Sequence, residues 1–237
     1  MSSRQEEKEA RRRERQAQQA EAEKAAANAR RMRLVGGVVV AVLAVGGIGA
    51  AVVAGGGGDD GPAPDGGSDL PKASIPAQRI TDLEEAAKAA GCELKEQLPS
   101  EGNDHVEGQV TSYKTNPPTS GPHNITPAQD GEYSVGNEPE KENWVHTLEH
   151  GRILFQFAPG TSTSDQAKLS ALFNEDFSGS NGYHQLVFQN NTEMPFKFAA
   201  VAWTNYVGCP GPLNSETLDT FRAFRAKYVD KGPELVP

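Results

Sequence analysis

The chain has 237 residues, 36% of them apolar and 23% charged, and a formal net charge of −9. That length and apolar share suit one modest core, and the acidic balance excludes a protein built to hold nucleic acid, which needs a basic surface to displace counterions from phosphate. Two cysteines exclude a cysteine-rich knot and a four-cysteine zinc site.

The charge is unevenly spread along the chain. Residues 1–33 hold ten Lys/Arg against six Glu, a net +4, and the remainder carries −13. This head is rich in helix formers and has i,i+4 pairs such as Glu7–Arg11 and Glu9–Arg13, but no apolar stripe larger than Ala. It reads as a solvated, basic cytoplasmic helix. Residues 34–54 follow without a charged or strongly polar side chain, and 21 residues make a helix of about 31 Å, enough to cross a hydrocarbon core of about 30 Å. Arg30, Arg31 and Arg33 precede this run, while Asp59 and Asp60 follow it, so the positive-inside rule predicts a cytoplasmic N-terminus and an extracytoplasmic bulk. A cleaved signal peptide, with Val52 and Ala54 as cleavage-site residues, competes with that reading; the 33-residue head is long for an n-region. Small-residue spacings within the run (Gly46 to Ala50, Gly47 to Ala51) permit helix–helix contact. Residues 55–74 form a linker rich in Gly, Pro and Asp, and 75–237 form one outer domain.

In that domain Thr81-Asp-Leu-Glu84 predicts a capping box for a helix over 82–90, which Gly91 ends. Residues 105–113 alternate in part and predict a strand; 114–131 are dense in Pro, Thr, Ser and Gly and predict a loop. A short helix over 143–150 gives way at Gly151 to a strand over 152–157. A helix over 165–174, strands over 185–189 and 196–203, and a last helix capped by Asn214 or Ser215 complete the set, with Leu218, Phe221, Phe224 and Tyr228 at helical spacing. Strands and helices mix without a steady βαβ period, which predicts an α+β domain: a small, mostly antiparallel sheet packed by helices. The absence of P-loop and GxSxG strings leaves P-loop nucleotide binding and α/β-hydrolase chemistry without support.

Cys92 and Cys209 most simply form one disulfide on the oxidising side of the membrane, with free thiols or metal-binding thiolates as alternatives. All five histidines lie in the outer domain. His146 and His150 are four apart on the predicted short helix, so one metal could take a nitrogen from each. Glu149 completes an HxxEH string, the pattern of inverted zinc proteases in which the Glu is the general base. Asn116-Pro-Pro-Thr-Ser-Gly-Pro-His123 is a stiff loop ending on a third imidazole, since Pro117, Pro118 and Pro122 fix φ. His105 is a fourth candidate ligand, and Met194 could add a thioether that would favour copper; three imidazoles without it suit zinc or copper equally. His184, between turn residues, reads as a surface histidine, and the Asn124-Ile-Thr and Asn190-Asn-Thr sequons matter only in a glycosylating host.

The segments NPPTSGPH, VHTLEHGRILFQF, MPFKFAAVAW and FRAFRAKYVDKGPE, taken together and in that order, resemble the bacterial domain-of-unknown-function family 3105, frequent in actinobacteria, over residues 75–235. The resemblance implies a basic head, one membrane span and an outer domain, and brings no established activity. The reading reached from sequence is a single-pass membrane protein whose outer domain binds copper, zinc or an unidentified protein partner. It would be a binding module rather than an enzyme. A metal-free envelope domain and a zinc hydrolase using the HTLEH segment are the alternatives.

Overall fold

The computed structural model describes residues 63–66 and 70–234. The expected head, the apolar run over 34–54 and much of the linker lie outside them. The first helix, α1 (Leu83–Ala90), starts where the Asp82 carboxylate accepts from the Glu85 N–H at 2.9 Å. The cap is thus Asp82 rather than Thr81, because the Asp-x-x-Glu register one residue on satisfies the same orphan amide. Gly91, at φ 65°, closes the helix as expected. The later elements are β1 (Glu93–Lys95), β2 (Gly131–Glu132), α2 (Lys141–Glu149), β3 (Ile153–Phe157), α3 (Thr163–Phe173), the hairpin strands β4 (Asp176–Phe177) and β5 (Ser180–Asn181), β6 (Gln185–Gln189), β7 (Phe198–Ala202), β8 (Asn205–Cys209) and α4 (Ser215–Tyr228).

Six strands form one sheet in the order β1-β8-β7-β3-β6-β2. Side chains alternate across it. Ile153, Phe155 and Phe157 of β3, with Phe198, Ala200 and Ala202 of β7, join the core under α1, α3 and α4. Leu154, Ala199 and Val201 point the other way, into a second core with Trp144, Val145 and Leu148 of α2. Both faces are covered, which is why the central strands are buried along their whole length and read as continuous apolar runs.

Two parts of the expected fold class are corrected. The sheet is mixed: the pairs β1–β8, β8–β7 and β7–β3 are antiparallel, but β6 pairs parallel with both β3 and β2. The physical reason is α3, which carries the chain from β3 back to the sheet's starting edge and lets β6 lie parallel beside it, a connection a hairpin cannot make. No helix among the described residues is long and apolar enough to cross a membrane; the membrane helix expected over 34–54 falls outside them.

The expected strand over 105–113 is also absent. Gly108 takes φ 84°, and the only pairing there is an isolated bridge between His105 and His123. Ala63–Gly66, expected as linker, runs along β2: Gly66 N–H donates to Glu132 O at 3.1 Å, and Asp65 accepts from Ser134 N–H at 2.8 Å. Cys92 and Cys209 form the disulfide, joining the start of β1 to the end of β8.

Candidate metal centre

Three candidate side chains come from α2 and its cap. His146, Glu149 and His150 lie at i, i+3 and i+4 and project from one side. The helix stops there because Gly151, at φ 78°, donates to Leu148 O at 3.0 Å while Arg152 N–H donates to Thr147 O at 3.1 Å, a Schellman closure.

His123 comes from the proline loop, which is buried from Pro117 to Gly121. Thr204 N–H donates to Thr119 O at 2.9 Å, Glu101 N–H donates to Ser120 Oγ at 3.0 Å, and the Tyr113 hydroxyl donates to Pro122 O at 2.8 Å. Gly121 sits at φ 122° with the Tyr113 ring 3.0 Å from where a Cβ would stand, so only glycine fits there without strain. The incoming stretch 102–106 is stitched to this loop: Gly121 N–H donates to Gly102 O, His123 N–H to Asp104 O, and Val106 N–H to His123 O, at 2.8 to 3.0 Å. That pairing sets His105 beside His123.

The rings converge. Centroids of His105, His123 and His146 are 4.7 to 5.0 Å apart, and His146 to His150 is 4.5 Å. Two tautomers follow from their partners. His123 Nδ1 lies 2.8 Å from Gly121 O and His146 Nδ1 lies 2.7 Å from Asn124 O. A carbonyl only accepts, so each Nδ1 carries the proton and each Nε2 presents a lone pair. This is how ligating histidines are held, the distal N–H donated to a backbone oxygen so that the proximal nitrogen is aimed. His123 is fully buried, and its Nε2 has no aligned hydrogen-bond partner although Glu149 Oε2 is 3.0 Å away. An orphaned buried nitrogen costs about 1–3 kcal/mol; a cation between it and the carboxylate would relieve that cost. Asn103 Nδ2 donates to the other oxygen, Glu149 Oε1, at 2.6 Å.

Two groups of donors result. One ligand atom from each of His105, His123, His146 and Glu149 lies within 4.8 Å of the others, and so do those of His146, His150 and Glu234. A tetrahedral ion with bonds of about 2.0–2.2 Å holds its donors roughly 3.3–3.6 Å apart, so the first set needs only small rotations to close on one ion. In the second, His150 Nε2 is 3.0 Å from His146 Nε2 and 3.5 Å from Glu234 Oε2. Burial lowers the pKa of His123, and it lowers those of His146 and His150 to about 4, with the other imidazoles adding repulsion at His146 and Arg152 at His150. At neutral pH these rings are uncharged, the state in which imidazole binds metal.

The candidates therefore sort as follows. His105, His123 and His146 come together, with Glu149 as a fourth donor; His150 faces His146 from the outer side. Met194 packs into the core under α2, and its backbone N–H donates to Asn190 Oδ1. His184 is not a free surface ring, since its Nδ1 meets Asp230 Oδ1 at 2.6 Å. Glu149 was legible as a site residue only in the role of base; its i+3 relation to His146 was the signal for a ligand. Asn103 and Glu234 carried no signal, because only the tertiary fold brings those loops to α2.

The fold and site define an α+β domain with a histidine/carboxylate cluster between a proline loop and a short helix. A family model described as "Protein of unknown function (DUF3105)" matches residues 105–235, more than half of the chain, and the chain belongs to that family. The matched stretch starts at His105 and includes Glu234, so it holds both donor groups. No curated protein and no solved structure matches the chain.

Proposed function

We propose that the domain is an extracytoplasmic binding module for a divalent transition-metal ion, zinc or copper(II), held by His105, His123, His146 and Glu149. The observation that carries this reading is the pair of buried imidazoles whose Nδ1 atoms are tied to backbone carbonyls, leaving His123 Nε2 against the Glu149 carboxylate at 3.0 Å and the His146 Nε2 lone pair beside it in the same donor group. The donors are nitrogen and oxygen, with Met194 in the core, which favours zinc or copper(II) over copper(I). Asn103 holds Glu149 Oε1, and Oε2 faces the His123 Nε2 lone pair at 3.0 Å, two acceptors that a shared cation would satisfy; this favours a ligand over the free base a hydrolase would need. The Cys92–Cys209 disulfide supports an oxidising compartment.

The full-length chain, purified without a histidine tag and stripped with chelator, is expected to bind one zinc ion and to melt higher with it. The double variant His123→Ala/His146→Ala should bind none. Absence of zinc and copper binding by the wild-type chain would overturn the proposal.

A further inference from the structure

We propose that the two donor groups are successive stations for a single ion, so that the cation reaches and leaves the buried station through His150 and Glu234. This inference rests on the metal-binding reading and concerns how the ion moves. The stations share His146. Its Nδ1 is committed to Asn124 O, so one lone pair, on Nε2, is left to serve either station but not both at once. The two differ in access. In the inner station the side chains of His123 and Glu149 are 0% and 4% exposed, with only His105 reaching solvent; in the outer one those of His150 and Glu234 are 11% and 52% exposed. A rotation of the His146 ring would hand the ion from one to the other with an imidazole bound throughout.

Glu234 is placed there by construction of the chain. The tail after α4 turns back onto the end of α2: Asp230 N–H donates to Gly151 O at 2.9 Å, and Glu234 N–H donates to Glu149 O at 3.1 Å. Asp230 also takes Tyr183 and His184. Gly232 is wedged so tightly that a Cβ would stand 2.1 Å from Glu149 O and 2.3 Å from Gly151 N. The outer carboxylate is thus seated on the residue that supplies the inner one.

The test measures zinc transfer from the full-length chain to an excess chromogenic chelator, alongside the binding constant. Removing a stepping stone raises the barrier in both directions. His150→Ala and Glu234→Gln should each slow release and uptake about tenfold, roughly 1.4 kcal/mol of barrier, with a smaller change in affinity. Gly232→Ala keeps every donor but unseats the tail, and should slow both rates likewise. Asn103→Ala loosens only Glu149, and should weaken affinity and speed release, the opposite sign. Unchanged rates in the first three variants would overturn the inference and mean direct entry past exposed His105; two zinc ions per chain would overturn it by showing independent sites. A wild-type chain that takes up no zinc fails the metal reading itself, and the initial titration shows this before any rate is measured.

Discussion

His146 and His150 show what burial does to an imidazole. A histidine in the unfolded chain titrates near 6.5, whereas burial holds both of these rings near 4 in the fold. Between those values the unfolded state binds more protons than the folded one. Stability is therefore fully present above about 6.5 and is lost progressively as pH falls toward 4. The metal-free chain should show a melting temperature that drops through this window, followed by calorimetry; a flat profile from pH 7 to 4 would mean that the rings are solvated. Zinc, which competes with the same protons, should move the acid transition to lower pH. The i,i+4 pair and the stiff loop before His123 were legible in the sequence because both depend on local spacing. Glu234 and Asn103 were not, since nothing near them in the chain marks a partner across the fold.

The elements depend on a few positions where backbone and packing leave no choice. Gly151 takes φ 78°, and a Cβ there would sit 2.8 Å from Asp230 Cα. Gly151→Ala should cost about 1–3 kcal/mol from backbone strain alone, with further loss from the displaced tail, read as a lower urea midpoint. Phe221 of α4 is fully buried and stacks on Phe155 at 5.6 Å between centroids. Phe221→Ala should cost about 3–5 kcal/mol in the same assay; a loss below about 1 kcal/mol, the scale of a surface change, would mean that this core is not close-packed. The helices α3 and α4 were readable from their period, and α4 also from its cap Asn214; the Ser162 cap of α3 emerged only in the structure. Strand β8 was not, because Gly208 sits where Phe196 covers the backbone, and a Gly-Cys-Pro ending resembles a turn. The false strand over 105–113 had the alternation without the apolar mass to bury, and its residues stay exposed or half-buried.

Across the described domain, the disulfide and the histidine cluster lie on opposite sides of the sheet. Cys209 belongs to the core under α1, α3 and α4, and the histidines gather at α2. The bridge closes a loop with a sequence separation of 117, which the chain-entropy account values at about 4–5 kcal/mol. Reduction should lower the urea midpoint accordingly while zinc stoichiometry stays at one ion per chain. Loss of zinc on reduction, under conditions where the fold persists, would show the two halves to be coupled.

The sequence by itself determined the helices, the central apolar strands and the kinds of candidate ligand, because caps, periodicity and residue chemistry act over a few neighbours; the cysteine bridge, open to alternatives in the sequence, was settled by the fold that brings Cys92 to Cys209. Tertiary structure decided the rest: a mixed sheet, since strand direction depends on which way α3 returns the chain, and the membership of each donor group. Four side chains from three separate segments meet at one point only because the proline loop, the 102–106 stretch and the end of α2 are hydrogen-bonded into a common frame. No spacing along the chain encodes that meeting.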